Sequence, residues 1–260
     1  MRSDRGARRT RTLTCAVAVC ALGLVARLVV AAGTITLYVD DNSTCTTGCG
    51  SQAAPYSTIQ AAIDDADTQL IAGAISEATV RVAAGNYPER IYIVPNVHVI
   101  GEGSATTVID ATGKGRSAVI FADRGSLGRP RVNFSIEGFK ITGGIGEVRS
   151  ADLRIAGGGI FVLGDAVISN NLITGNVLAG SQPNWIGGGI YVGYGDPVIM
   201  NNVISKNTVI QPTTNSRGIG GGIYVEGNGV GVVPTHARIE ANTIIENIAQ
   251  GATAGEGGGI

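Results

Sequence analysis

Gly187-Gly188-Gly189-Ile190-Tyr191-Val192 recurs along this chain and decides its fold. A closely similar stretch, with phenylalanine in place of tyrosine, stands at 157–162. An identical one stands at 220–225, and its first four residues return at 257–260. Internal similarity at a spacing of ~20–50 residues is typical of repeat proteins, in which stacked units bury one continuous core. The sequence therefore predicts a solenoid.

Isoleucine and asparagine recur at fixed distances within each unit. With Asn171, Asn202 and Asn242 as anchors, isoleucine stands three residues before and two residues after each of them. These isoleucines are Ile168, Ile199 and Ile239, and then Ile173, Ile204 and Ile244. A second asparagine follows five residues after each anchor, at Asn176, Asn207 and Asn247. A degenerate earlier unit fits the same frame with Ile136, Phe139, Ile141 and Gly144.

This pattern predicts three short strands in each unit: the Gly-Gly-Gly-Ile strand, one before the anchoring asparagine and one after it. Parallel stacking at ~4.8 Å per unit would align the isoleucines in internal columns. Asparagine suits a left-handed backbone residue at a tight corner, and stacked asparagines can bond to one another. We therefore predict an all-β chain that forms a right-handed parallel β-helix.

The stretches that vary in length between units are predicted to be loops along one edge, at 176–186, 207–219 and 247–256. A β-propeller needs four strands per ~40–45 residues, and leucine-rich repeats show leucine columns, so both fit less well. The chain ends within its fourth Gly-Gly-Gly-Ile stretch. We therefore expect the repeats over 79–260 to be incomplete at the C-terminus.

Residues 1–32 are predicted to be a signal peptide. Arginines at positions 2, 5, 8, 9 and 11 precede an apolar stretch, and Val30-Ala31-Ala32 offers a cleavage site with small residues. The alternative is a retained membrane anchor, which the short length of the stretch and Arg27 disfavour. We expect a secreted, extracellular or cell-surface protein, whose only membrane contact is this segment or an anchor beyond Ile260.

Residues 33–78 are predicted to hold a strand, a disulfide loop and a capping helix. Cys45 and Cys49 are expected to form a disulfide, because an exported chain is oxidised and no further cysteine or histidine lies near enough for a metal site. Ser57 and Gln60 match a capping box, with Ser57 as N-cap, for an amphipathic helix of about 14 residues. This helix would cover the apolar end of the solenoid.

Charge and motif content restrict the classes of function. A net charge of -1 with 15% charged residues provides no field for nucleic acid. The glycine triplets precede strands, whereas phosphate-binding loops precede helices, so no nucleotide site is predicted. The two histidines, His98 and His236, lie in no motif of nucleophilic catalysis, and His98 is interpreted as a surface or inter-strand residue.

Three stretches, 56–63, 80–89 and 99–103, resemble the opening of pectin-lyase-like β-helix proteins, including pectin methylesterases. The Gly-Gly-Gly-Ile units with Ile-x-x-Asn resemble repeats of polymorphic outer-membrane and related right-handed β-helix surface proteins. The resemblance covers roughly residues 34 to 260 and implies the fold. It implies no single activity, because that superfamily includes lyases, hydrolases, esterases, epimerases and adhesins. The signature motifs of pectin methylesterases, polygalacturonases and pectate lyases are absent from the sequence.

Two stacked columns are candidate sites. Phe161, Tyr191 and Tyr224 are predicted to point outward ~5 Å apart, where aromatic faces suit sugar rings; the alternative is that they are ordinary exposed strand residues. The second column lies six residues before the anchors: Asn133, Asp165, Asp196 and His236. Asp165 and Asp196 could share a calcium ion or a proton, and the alternative is ordinary turn chemistry.

The sequence thus predicts a secreted or surface β-helix that binds carbohydrate, such as a polysaccharide or a cell-surface glycan, or serves as an adhesin-type structural repeat. The alternative is a polysaccharide lyase or a related carbohydrate-active enzyme. Because no recognised catalytic motif occurs, we favour a non-catalytic role and assign no catalytic residue. No cofactor is required, and calcium is a candidate ion.

Overall fold

The computed structural model describes residues 33–122, 133–149, 153–179, 184–211, 216–227 and 235–260. The predicted signal peptide lies outside these residues. They form mainly parallel strands in stacked sheets, with a single helix, α1 (Ile59–Ile71). This arrangement is compatible with a β-helix solenoid. No helix within the described residues has the length and apolar character needed to cross a membrane.

Twenty-five strands follow one another in the described residues. Those before residue 123 are β1 (Gly33–Val39), β2 (Ile75–Val82), β3 (Gly85–Tyr87), β4 (Ile91–Ile93), β5 (Val97–Gly101), β6 (Thr107–Asp110) and β7 (Val119–Ala122). Those from residue 133 to 186 are β8 (Phe134–Glu137), β9 (Lys140–Thr142), β10 (Glu147–Val148), β11 (Ile155–Ala156), β12 (Ile160–Leu163), β13 (Ala166–Ser169), β14 (Leu172–Thr174) and β15 (Asn184–Ile186). The remainder are β16 (Ile190–Tyr194), β17 (Val198–Met200), β18 (Val203–Ser205), β19 (Thr208–Gln211), β20 (Arg217–Ile219), β21 (Ile223–Val225), β22 (Arg238–Glu240), β23 (Thr243–Ile245), β24 (Ile248–Gly251) and β25 (Ala254–Glu256).

Three long sheets take one strand from each repeat unit. Sheet 1 has the order β4-β7-β12-β16-β21, sheet 2 the order β1-β2-β5-β8-β13-β17-β22, and sheet 3 the order β3-β6-β9-β14-β18-β23. A fourth, which we name the cover sheet, has the order β10-β11-β15-β20-β25, and β19 pairs with β24. All pairs are parallel except β10 with β11. The three strands predicted for each unit are confirmed.

The isoleucine columns form the core, as predicted. Ile136, Ile168 and Ile199 are in register in sheet 2 and are completely buried. The equivalent positions in sheet 3, Ile141, Ile173 and Ile204, are also in register and buried. Burial of one such side chain contributes roughly 1.5–3 kcal/mol, so each unit gains several kcal/mol from its two isoleucines.

Two asparagine ladders run beside these columns, at the corners of the units. The Nδ2 group of Asn171 donates to Oδ1 of Asn202, and that of Asn202 donates to Oδ1 of Asn242. Asn176, Asn207 and Asn247 form the second ladder in the same way. Each ladder oxygen from the second unit onward also accepts the backbone N–H of the preceding asparagine, as Asn202 does from Asn171. The predicted bonding between stacked asparagines is confirmed.

The left-handed residue at each corner is not the ladder asparagine, and that part of the prediction is wrong. The residue immediately before the ladder has positive φ: Asn170 (57°), Asn201 (56°) and Ala241 (51°) in the first ladder. In the second ladder the equivalents are Gly175 (67°), Lys206 (56°) and Glu246 (56°). The ladder asparagine instead points its amide inward, where it satisfies backbone groups of neighbouring units.

The glycine triplets are required by backbone geometry. Gly187 has a φ of 67°, a conformation that other residues adopt at a cost. A Cβ on Gly188 would lie 2.5 Å from the carbonyl oxygen of Gly221, and one on Gly189 would lie 2.6 Å from that of Gly222. The triplet therefore allows adjacent units to stack in close contact where the chain enters sheet 1.

Helix α1 is capped differently from the prediction. The N-cap is Thr58 rather than Ser57, and its hydroxyl accepts the N–H of Ala61. The carboxylate of Glu89 accepts the N–H groups of both Ile59 and Gln60, at 2.8 and 3.0 Å. Gln60 does not reach back to the cap; its Oε1 accepts the N–H of Tyr92. The helix is thus bound to the first repeat units by the side chains of Glu89 and Gln60.

The stretches predicted to be loops along one edge contain strands, which is a further correction. They supply β15, β19, β20, β24 and β25. The cover-sheet strands among them pack over the outer face of sheet 1: Ala156 and Ile186 lie in one buried cluster with Phe161 and Tyr191. Trp185 is also buried, against Ile155, Leu178 and Val209. Sheet 1 therefore has protein on both faces.

Candidate functional site

The aromatic column on sheet 1 is present and stacked. Phe161, Tyr191 and Tyr224 are in register, with ring centroids 5.1 and 6.1 Å apart. They lie on the opposite side of the sheet from Ile160 and Val162, which belong to the main core. The alternation between the two faces follows the period of two in a β-strand.

The rings do not present an open face to a ligand, so the expectation of an exposed aromatic surface is wrong. Tyr191 is 0% exposed and Phe161 is 7% exposed, because the cover sheet packs against them. Tyr224, on the last strand of sheet 1, is partly buried. In this structure the column is an internal layer between two sheets rather than the floor of a cleft.

An ion pair closes the column further. Arg149 is 6% exposed, and its Nη1 lies 2.6 Å from Oε2 of Glu226. The same oxygen accepts the phenolic O–H of Tyr191 at 3.0 Å. The guanidinium carbon of Arg149 lies 5.2 Å from the centroid of the Tyr191 ring, within the range of a cation–π contact. These groups satisfy one another, so they bind the cover sheet region to sheet 1.

The carboxylate column is brought together, and its members bond to one another between neighbouring units. Oδ1 of Asp165 accepts the backbone N–H of Asp196 at 2.7 Å. Oδ1 of Asp196 lies 3.0 Å from Nδ1 of the exposed His236. Asn133 is exposed at the strand start in the preceding unit. The described residues contain no group of three or more His, Cys, Asp or Glu side chains with the geometry of a metal site.

A line of three polar side chains on sheet 2 was missed at the sequence level. Nδ1 of His98 lies 2.9 Å from Oγ of Ser135, and Nε2 lies 3.2 Å from Oε1 of Glu77. Ser135 and His98 are 37 residues apart, and only the pairing of β5 with β8 makes them neighbours. No local motif predicts this contact, although the alignment of the strands could have suggested it.

A polar groove adjoins the N-terminal part of sheet 2. One cleft of about 640 Å³ is lined by Tyr38, Asp40, Gln52, Arg81 and Glu102. A second cleft of about 650 Å³ shares Asp40 and Gln52 with it and continues along the disulfide loop. Arg81, Gln52 and Glu102 are exposed, and Tyr38 is partly buried. The two clefts form a groove with an aromatic ring, an amide and charges of both signs.

The disulfide loop forms one wall of this groove. Cys45 and Cys49 are bonded, with their Cα atoms 5.8 Å apart. The loop is held against β1 by hydrogen bonds, including Tyr38 N–H to the carbonyl of Gly50 at 3.0 Å. The hydroxyl of Ser43 donates to the carbonyl of Pro55 at 2.5 Å. The wall is therefore built on a fixed backbone.

Comparison with known proteins assigns this chain to no family. No family model matches the chain, and neither the curated proteins nor the solved structures contain a match. The functional assignment therefore depends on the chemistry of the described residues.

Proposed function

We propose that this chain is an exported or cell-surface protein with a right-handed, pectin-lyase-like β-helix, and that it binds carbohydrate in the groove beside the disulfide loop. The groove carries the proposal. It combines the ring of Tyr38 with the amide of Gln52 and the charged groups of Asp40, Arg81 and Glu102. Sugars present apolar C–H faces together with hydroxyl groups, and such a set of side chains can contact both.

Size and charge also support a glycan ligand. Ligand sites are commonly clefts of ~300–1,000 Å³, and each of the two adjoining clefts lies within that range. Asp40 and Glu102 offer acceptors for sugar hydroxyls, while Arg81 offers donors. An open groove of this kind suits a short segment of a polymer. Export through residues 1–32 would place it among extracellular polysaccharides and cell-surface glycans.

Glycan-array binding of the purified protein tests the proposal. Tyr38→Ala and Arg81→Ala should each weaken binding to the retained glycan at least tenfold, because each removes a contact from the groove. Arg238→Ala is the matched control, since Arg238 is an exposed arginine on sheet 2 five strands away from β2. Absence of any retained glycan, or equal binding by all three variants, would exclude the groove as a carbohydrate site.

A further inference from the structure

Glu77, His98 and Ser135 form a line across three neighbouring strands of sheet 2, namely β2, β5 and β8. His98 pairs in register with Ser135 on one side and with Thr79 on the other. Backbone pairing on both sides fixes the strand positions, so the imidazole is held between the hydroxyl and the carboxylate. The distances are 2.9 Å from Nδ1 to Ser135 Oγ and 3.2 Å from Nε2 to Glu77 Oε1.

The contacts select one tautomer of the imidazole. Nε2 is buried and makes no hydrogen bond of good geometry among the described residues, although the Glu77 carboxylate lies at ion-pair distance. A carboxylate favours a proton on the ring nitrogen that faces it. A neutral His98 with its proton on Nε2 presents the lone pair of Nδ1 to the hydroxyl of Ser135. This is the arrangement in which a histidine accepts a proton from serine.

His98 is more shielded from solvent than Ser135 needs to be, as suits a general base beside an accessible nucleophile. The His98 side chain is 14% exposed, so water competes little for its nitrogens. Ser135 is partly exposed on the outer face of the sheet. Its hydroxyl can therefore meet a molecule that approaches from solvent while its base remains shielded.

We propose that Ser135 is a nucleophile, that His98 is its general base, that Glu77 positions His98, and that the site hydrolyses carboxylic esters. The proposal is independent of glycan binding in the groove. A nucleophile, a base and a group that orients the base are the components that define this class of site on unrelated folds.

The steps balance with water as the only co-reactant. Oγ of Ser135 bonds to the acyl carbon as its proton passes to Nδ1 of His98. The bond between the acyl carbon and the alcohol oxygen then breaks, and that oxygen takes the proton from Nδ1. Water next attacks the acyl-serine, its proton passes to Nδ1, and the serine oxygen leaves and recovers that proton. The products are a carboxylic acid and an alcohol.

Labelling of the full-length protein with a fluorophosphonate probe tests the nucleophile directly. Ser135 Oγ would displace fluoride and form a stable phosphonyl ester, which peptide mass spectrometry locates. We expect label on Ser135, no label at this position in Ser135→Ala, and at least a hundredfold slower labelling in His98→Asn. Ser169 is the internal control, because its hydroxyl bonds to Glu137 and no histidine contact is seen for it among the described residues.

Hydrolysis of p-nitrophenyl acetate gives the second readout. Ser135→Ala should reduce turnover to the rate in buffer, and Glu77→Gln should lower kcat more than it changes KM. Thermal melts of all variants separate loss of chemistry from loss of folding, and Ser135→Cys supplies a nearly isosteric variant for mass spectrometry of an acyl-thioester. An unlabelled Ser135 in the folded protein, or labelling at the same rate in folded His98→Asn, would overturn the proposal.

Discussion

At the residue scale, the corners at which the chain leaves sheet 3 carry backbone strain. Lys206 and Glu246 occupy the position where the preceding unit has Gly175, and all three have φ between 56° and 67°. A residue with a Cβ in this conformation costs roughly 1–2 kcal/mol, which glycine avoids. The ladders and isoleucine columns on either side hold the strained residue in place.

Introduction of glycine at one of these corners should raise stability, and replacement of glycine at another should lower it. Lys206→Gly should raise the free energy of unfolding by about 1 kcal/mol, because the strain it relieves exceeds the added flexibility of the unfolded chain. Its ion pair with Glu246 is exposed and contributes little. Gly175→Ala, the matched reverse change, should lower stability by about 1–2 kcal/mol. Urea denaturation measures both, and a loss of stability in Lys206→Gly would contradict the strain argument.

At the element scale, helix α1 depends on a carboxylate that comes from another part of the chain. Burial raises the pKa of Glu89 above its ordinary value of 4.5, and the hydrogen bonds from the Gln60 and Ile59 N–H groups oppose this only partly. The folded protein therefore binds the Glu89 proton more tightly than the unfolded chain does. The resulting contribution to stability is complete below the ordinary pKa and is lost as pH rises through the raised pKa.

Comparison with Glu89→Gln should reveal this titration. The wild type should lose stability relative to Glu89→Gln as pH rises from 4.5 through the raised pKa. Above that pH, the difference between their free energies of unfolding should stay constant. Asp64→Asn removes an exposed carboxylate that itself raises the Glu89 pKa, and should therefore move the change to lower pH. Urea denaturation between pH 4 and 8 provides the measurement. A difference that moves in favour of the wild type over this window would show that the cap stabilises the charged form.

Elements differed in how far the sequence could predict them. The three strands of each unit were predictable, because Ile168 and Ile173 recur at fixed offsets in every unit. The cover-sheet strands were not, because β15 and β20 lie in stretches of unequal length between the repeated positions. Their packing also decides the state of Tyr191, whose direction was predictable from alternation but whose burial was not.

The candidate sites were also hard to predict from the sequence, because they depend on contacts between distant strands. Glu89 caps a helix that begins 30 residues earlier, and His98 meets a serine 37 residues later. Both contacts depend on register and side-chain reach, neither of which leaves a local pattern. The disulfide was predictable from the short spacing of two cysteines in a chain expected to be exported, and the groove beside it was not.

At the scale of the whole molecule, each unit is stabilised by its immediate neighbours, so position along the stack should determine the effect of a substitution. Asn207 is fully buried and bonds to units on both sides: it accepts from Asn176 and donates to Ile173 and Asn247. Asn247 is partly exposed and bonds only toward the preceding units within the described residues. Stacked repeats behave in this nearest-neighbour manner.

Alanine at the two positions should therefore have unequal effects. Asn207→Ala should lower the free energy of unfolding by about 3 kcal/mol, because it leaves buried donors and acceptors without partners. Asn247→Ala should lower it by about 1 kcal/mol, since water can reach its partners. Guanidinium denaturation of both variants gives the comparison, with unchanged m-values as the control for a common unfolding transition. Equal losses would show that the ladder is not continuous.

The ladders also have a direction. In each ladder the amides of the first two units donate to the asparagine oxygen of the next unit, and the two ladders are separated by five residues in each of three units. Their fixed separation therefore sets the alignment of successive units. Insertion of one residue between Asn202 and Asn207 would move Asn207 out of line with Asn176 and Asn247, whereas additions between Asn207 and Gly220 leave the ladders aligned. The units vary in length only outside the segment between the two ladder asparagines.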